Sequence, residues 1–297
     1  MRAGTLILEP GTLWEKITRQ TKHALQCGEL QTIATEYEFV EQDGVNFLVR
    51  ILANLERKAE DWQQQTQQFN PFLPYEEDLF VAYISDTHLC LLNKFNVVPY
   101  HLLIVTRLFE EQESWLTLQD FEAMEACLSQ IDGLAFYNAG KKAGASQRHK
   151  HLQLVPLPLI PGGLQMPIEP AIASARFHGT VGRVPSLPFI HGIIHLDSSG
   201  ASPLEAAQTL LEAYHTLLRA IKLQDETKVM GNRQSGAYNL LVTRRWMLIV
   251  PRSQESFQSI AVNSLGFAGT LFVRNPEQMK LLKNYGPLTI LKKVAQS

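Results

Sequence analysis

The chain has 297 residues, 27 Lys and Arg against 29 Asp and Glu, and a formal net charge of −2. Near-neutrality counts against a nucleic-acid or anionic-membrane binder, because either carries a strong basic excess. A hydrophobic content of 45% supplies core material, and no apolar run reaches the ~20 residues that span a bilayer, so a compact cytoplasmic protein is expected.

From the N-terminus, Leu13, Trp14, Ile17, Ala24 and Leu25 recur at helical spacing and predict a helix over 12–27 that Gly28 stops. Short β-rich runs predict strands at 45–52 and 79–84, separated by a Gln-rich tract and the turn-prone Asn70-Pro71-Phe72-Leu73-Pro74. Val97 to Val105 predicts a buried strand with Pro99 near its start, where a missing N–H is tolerated. Thr117 can cap a helix carrying Leu118, Phe121, Met124, Leu128 and Ile131 near one face, with Asp120 in its first turn. A strand at 134–137 follows, then a basic loop, then a strand from Gln147 to Pro156.

The Gly- and Pro-rich stretch 162–188 reads as a connector between two halves, 1–170 and 185–297, expected to form one compact unit. Ser202-Pro203 starts a helix; 237–242 and 246–250 form a hairpin of buried strands; a last helix lies near 276–283. The pattern is α+β. His101–Arg107 weakly echoes Trp246–Arg252, a hint of degenerate duplication. Cys27, Cys90 and Cys127 form no Cys-x-x-Cys pair and are expected to be reduced core thiols.

The chemistry concentrates in Gly144 to Pro156, where alternation puts His149, His151 and Gln153 on one face of a strand. Imidazoles are costly to bury unless something satisfies or uses them. A metal pair would want further protein ligands, and Gln is a poor one. Nucleophilic attack by one imidazole on phosphorus, its tautomer fixed by a neighbour and the phosphoryl oxygens held by amide donors, fits better. His191 and His195 have metal-pair spacing, but Gly192 and β-branched neighbours argue for a strand, and no metal site is expected there. Neither glycine-rich phosphate-loop motif is present.

The ensemble resembles the ATP adenylyltransferases, or diadenosine tetraphosphate phosphorylases, a branch of the histidine-triad superfamily related to galactose-1-phosphate uridylyltransferase. The likeness rests on Asn70 to Glu76, Asn93-Lys94-Phe95, Tyr137-Asn138-Ala139-Gly140, Ser146-Gln147 with His149-x-His151-x-Gln153, Tyr238-Asn239, Val250-Pro251-Arg252-Ser253 and Ser264 to Gly269. The resemblance implies a histidine-triad-like fold: a fused, degenerate dimer of histidine-triad units around antiparallel sheet, with one working site. It makes 1–170 the catalytic half and 185–297 the ATP-adenylyltransferase-like half.

On this resemblance His151 is the nucleophile and forms an adenylyl-histidine, from which phosphate takes the adenylyl group to give ADP. In reverse, ATP and ADP yield diadenosine tetraphosphate and phosphate. Related reactions, such as adenosine phosphosulfate phosphorolysis, and non-catalytic sensing of dinucleoside polyphosphates are the alternatives. Hydrolases of the superfamily carry a third histidine where Gln153 stands; glutamine donates hydrogen bonds but does not titrate, which favours transfer.

In the supporting cast, Asn138 is expected to orient His151 or the phosphate, and Ser146, Gln147 and Gly140 to line the phosphoryl site. Asn93 and Lys94 are expected to contact nucleotide or phosphate, and His149 to shape the site without bonding to phosphorus. Lys58 either meets the polyphosphate or is a solvated surface lysine. Mg2+ is expected to arrive with the nucleotide and not in a protein cage. The implied partners are ATP, ADP, phosphate and dinucleoside polyphosphates, with no nucleic acid or membrane, and the chain is expected to be a monomer or homodimer. Three windows, 87–109, 133–168 and 227–276, hold 12 of the Lys and Arg but a single acid, Glu255, which suggests a basic pocket in an acidic remainder.

Overall fold

A computed structural model describes residues 4–52, 70–160, 163, 165–197, 200–224 and 231–297. Lys58 and the Gln-rich tract lie outside the described residues. The chain opens with α1 (Leu13–Cys27), which buries Leu13, Ile17 and Ala24 and ends where Gly28 takes the left-handed conformation at φ 83°. Trp14 and Leu25, which the spacing places on the same face, are exposed instead. A hairpin of β1 (Thr35–Gln42) and β2 (Val45–Leu52) follows, and β15 (Thr270–Val273) from the far end of the chain joins it in parallel.

The main body is a ten-stranded, wholly antiparallel sheet. Its first half contains β3 (Phe80–Tyr83), β4 (His88–Leu92), β5 (Leu102–Thr106), β6 (Gly133–Ala139) and β7 (His151–Pro156). The second half contains β8 (Arg176–His178), β9 (Val181–Arg183), β10 (Gly192–His195), β11 (Tyr238–Val242) and β12 (Trp246–Pro251). The strand order is β3-β4-β5-β7-β6-β11-β12-β10-β9-β8, a palindrome about the β6–β11 junction. At that junction Asn138 pairs with Asn239, and Tyr-Asn recurs at 137–138 and 238–239.

Each half links its strands through one long helix. α2 (Leu118–Leu128) lies between β5 and β6 and α4 (Pro203–Ala220) between β10 and β11, and the two helices pack together on one sheet face. Thr117 and Ser202 close the capping boxes that begin them. The fused-dimer expectation therefore has a structural basis, but the echo first suspected does not mark it. Sheet position makes β12 the counterpart of β7, and β10 the counterpart of β5, so the match of 101–107 to 246–252 aligns non-equivalent strands.

The opposite face carries a second core, closed by β1, β2, β15, a short hairpin of β13 (Ser256–Phe257) and β14 (Ile260–Ala261), and three short helices, α5 (Ser264–Phe267), α6 (Pro276–Tyr285) and α7 (Pro287–Val294). With apolar cover on both faces, the strands lose the alternation that marks half-exposed strands, and β6, β11 and β12 are buried along their whole length, Asn138 and Asn239 included.

Several expectations need correction. Val97 to His101 is not strand: Tyr100 has φ 57° in the turn beside Pro99, and β5 begins only at Leu102. The connector 162–188 contains α3 (Glu169–Ile172) together with β8 and β9. Cys90 and Cys127 are buried, but Cys27 is exposed at the end of α1. Five of the twelve Lys and Arg in the basic windows are held in ion pairs. Lys94 pairs with Glu29 and Glu76, Arg148 with Glu111, Lys150 with Asp120 and Glu110, Arg233 with Glu113, and Arg245 with Glu169.

Candidate active site

β7 is paired on both sides, with His151 opposite Val105 of β5 and Gln153 between Leu103 of β5 and Phe136 of β6. Period-two alternation then sends Leu152 and Leu154 into the core under the long helices and His151 and Gln153 to the other face. Regular strand begins at His151, later than expected, because His149 is paired only in a lone bridge to Glu111. Phe72 packs against both histidine rings, at 5.3 Å from His151 and 5.6 Å from His149.

The ring of His151 is held in one tautomer. Its Nδ1 donates to the carbonyl of His149 at 2.8 Å, so Nε2 carries the lone pair. Burial pushes its pKa down to about 4, which keeps the ring neutral and nucleophilic at physiological pH. His149 has no such free nitrogen. Its Nε2 meets the carbonyls of Thr106 at 2.8 Å and Leu108 at 3.2 Å, while Nδ1 accepts from Asn70 Nδ2 at 3.0 Å. Of the two rings, His149 is thus held through both nitrogens and His151 through Nδ1.

Gln153 is oriented by a relay that the sequence did not reveal. His101 Nε2 donates to Gln153 Oε1 at 2.9 Å, and His101 Nδ1 accepts from Asn93 Nδ2 at 3.1 Å. Burial lowers the His101 pKa to about 4, so this imidazole is neutral too. With its oxygen engaged, Gln153 keeps its amide N–H groups for other partners.

Asn138 sits on the same face as Gln153, two residues beyond its partner Phe136. Its Oδ1 accepts from Asn239 Nδ2 at 2.8 Å, Ser264 Oγ at 2.8 Å and Ser264 N at 3.0 Å. Arg252, almost fully buried, backs this group by donating to Asn239 Oδ1 at 2.5 Å and to the carbonyls of Val262 and Ala143. The second half thus contributes to the site by fixing Asn138. No histidine lies in β12, the strand that mirrors β7.

The remaining expected residues are placed less centrally. Lys94 is held by two carboxylates, at 2.7 and 2.8 Å, and Asn93 serves His101. Gly140 has φ 88°, and a Cβ there would come within 2.9 Å of Glu113 Cγ, so only glycine fits the turn. Ser146 is exposed and Gln147 half-buried in the loop that enters β7. His191, just before β10, uses both nitrogens on the backbone of Phe189 and Val184. Among the described residues, His23, Cys27 and Asp78 are grouped closely enough to hold a metal ion, on α1 and the turn at 77–79 and not on the His149–Gln153 face.

Comparison with known proteins is consistent across the chain. Residues 3–174 match the Ap4A phosphorylase N-terminal domain and residues 185–297 the ATP adenylyltransferase C-terminal domain. Diadenosine 5',5'''-P1,P4-tetraphosphate phosphorylase 2 of Saccharomyces cerevisiae is 29% identical over 253 residues, covering 77% of this chain and 73% of the relative. Protein APA1 of the same yeast is 27% identical over 296 residues, covering 90% and 88%. The crystal structure of yeast Ap4A phosphorylase Apa2 in complex with Ap4A superposes with a TM-score of 0.80 at 24% identity, covering 98% of this chain and all of that one, a likeness of fold.

Proposed function

The chain belongs to the Ap4A phosphorylase family, and we propose that it cleaves diadenosine tetraphosphate with phosphate to give ATP and ADP through an adenylyl group carried on His151. The observation that carries this reading is the His151 tautomer: a neutral imidazole, its Nδ1–H on the His149 carbonyl, with Nε2 free as the nucleophile.

In this reading Nε2 attacks the α-phosphorus of one adenylyl end, the phosphoanhydride bond breaks, and ATP leaves with the bonding electron pair. The adenylyl-imidazole keeps its Nδ1 proton on the His149 carbonyl, so the ring carries the positive charge that makes it a good leaving group. A phosphate oxygen then attacks the same phosphorus, the P–N bond breaks, and ADP forms. The Gln153 amide supplies N–H donors to the phosphoryl oxygens as charge develops, and Asn138 supports the same region. Gln153 cannot titrate, which leaves water without a general base there and favours transfer to phosphate.

Amides, imidazoles and backbone carbonyls surround His151 and Gln153. A hard divalent cation prefers carboxylate and phosphate oxygens, so Mg2+ would come with the polyphosphate and partly neutralise it. ATP, ADP, phosphate and dinucleoside polyphosphates are the partners this reading requires, and a cytoplasmic setting would supply them. No helix among the described residues is long and apolar enough to cross a membrane. Incubating the protein with diadenosine tetraphosphate, with and without phosphate, and chromatographing the products tests the reading. Phosphate-dependent ATP and ADP are expected; AMP and ATP without phosphate would mean hydrolysis, and intact substrate would mean binding alone.

A further inference from the structure

The ladder between β6 and β7 stops at Phe136 opposite Gln153, short of the nucleophile. One more turn of the same register would set Asn138 beside His151, yet no direct backbone bond joins them. The side chain of Gln112 lies between them. Its Oε1 accepts from the His151 backbone N–H at 2.8 Å, and its Nε2 donates to the Asn138 carbonyl at 2.9 Å and the His151 carbonyl at 3.1 Å. A single side-chain amide thus stands in for the peptide group of a missing strand partner, offering one acceptor and two donors.

Gln112 is itself held on both sides. Its N–H donates to the Arg148 carbonyl at 2.7 Å, its carbonyl accepts from the buried Tyr137 hydroxyl, and Lys150 N–H donates to the Glu110 carbonyl at 2.8 Å. The side chain is 2% exposed, so the three bonds are made in a site where leaving any of them unmade is costly. The His151 ring bonds to the His149 carbonyl, and the His151 backbone is pinned by Gln112. The ring's position relative to phosphorus follows from those two anchors.

We propose that Gln112 is a positioning residue for the nucleophile: it spreads β6 from β7 at His151 and fixes where Nε2 points. The proposal rests on the reading of His151 as the nucleophile. A displacement of about 1 Å in a reacting group can cost on the order of 100-fold in rate.

The test compares wild type with Gln112→Met, which keeps the volume and loses all three bonds, and Gln112→Glu, which keeps the acceptor and loses the donors. Single-turnover formation of labelled adenylyl-enzyme, steady-state kcat and KM, Tm, and the imidazole 15N signals of His151 are measured on each. The expected result is a fall of 10- to 100-fold in adenylyl transfer and kcat, KM within about threefold, and a changed His151 tautomer balance, on a variant that still melts cooperatively. If Gln112→Met does not fold, Gln112→Glu decides by the same readouts. Unchanged kcat, or kcat and KM moving together with Tm while the His151 signals stay put, overturns the proposal. If wild type forms no adenylyl-histidine, the nucleophile reading fails instead.

Discussion

His101, just before β5, and Gln153 of β7 meet at 2.9 Å, nitrogen to carbonyl oxygen, and this contact fixes which end of the glutamine amide is left for other partners. An unconstrained glutamine could offer either end. Here Asn93 holds His101 from behind at 3.1 Å, and the buried, neutral imidazole holds the Gln153 oxygen. The third position of the motif is therefore a fixed hydrogen-bond donor.

Replacing Gln153 separates donor from shape. Gln153→Ala should lower kcat by roughly 10- to 100-fold while still forming adenylyl-enzyme, the scale expected for one charge-stabilising donor. Gln153→Glu should be worse, since it sets a carboxylate against phosphoryl oxygens, and it should raise the His101 pKa from its present value of about 4. Kinetics and His101 NMR titration measure both; a Glu variant as active as Ala would refute the donor role.

His151→Ala should abolish turnover and labelling. Radiolabelled diadenosine tetraphosphate should leave an acid-labile label on wild type and none on the variant, with Tm shifted only modestly because the ring has one internal hydrogen bond. Near-normal kcat in His151→Ala would eliminate the covalent route.

The pH dependence has a definite sign. His101, His151 and His191 each have pKa values lowered by burial to about 4, against 6.5 for the free side chain. Above pH 6.5 all three are neutral in both folded and unfolded chains, so their contribution is flat. As the pH falls from 6.5 to 4 the unfolded chain takes up protons that the native state refuses, and stability drops, by roughly 3 kcal/mol per fully buried histidine once both values are passed. Urea titrations at steps between pH 7 and 4 should show that slope, with activity holding above pH 5 as far as His151 is concerned. A flat stability profile over this window would contradict the burial argument.

The parts that were legible in the sequence share one property: their signal is local. Thr117 and Ser202 announce helices because a cap and its partner lie three residues apart, and alternation exposes the His149–Gln153 face. The parts that were not legible depend on partners far away in sequence. Gln112 meets Asn138 and His151 across 26 and 39 positions, and His101 meets Gln153 across 52. Asn93, expected to contact nucleotide or phosphate, also has its Nδ2 on His101, a support that the motif alone does not announce. The ion pairs inside the charge windows are hidden for the same reason, because the acids that meet Lys94, Arg148 and Lys150 sit elsewhere in the chain.

Lys150, between the two histidines, faces the other way. Fully buried, its ammonium reaches Asp120 at 2.7 Å, the Trp115 carbonyl at 3.0 Å and Glu110 at 3.1 Å. Burial pushes the Lys150 pKa down, but Asp120 and Glu110 outweigh it and hold it above its usual value. Burial also raises that of Asp120, yet Lys150 and His88 hold the carboxyl well below the usual range. Removing one partner leaves the other charged and buried, so Lys150→Met should cost about 3–5 kcal/mol. Asp120→Asn alone should also be costly, although it keeps an acceptor for the Thr117 N–H at the start of α2. The double variant should cost at least about 2 kcal/mol less than the two single costs added together, because neither charge remains to be stranded. Folded Lys150→Met should keep kcat within a few fold, since the ammonium lies on the face away from His151 Nε2. Urea unfolding of the four proteins gives the cycle, and strict additivity would show that the two charges do not stabilise each other.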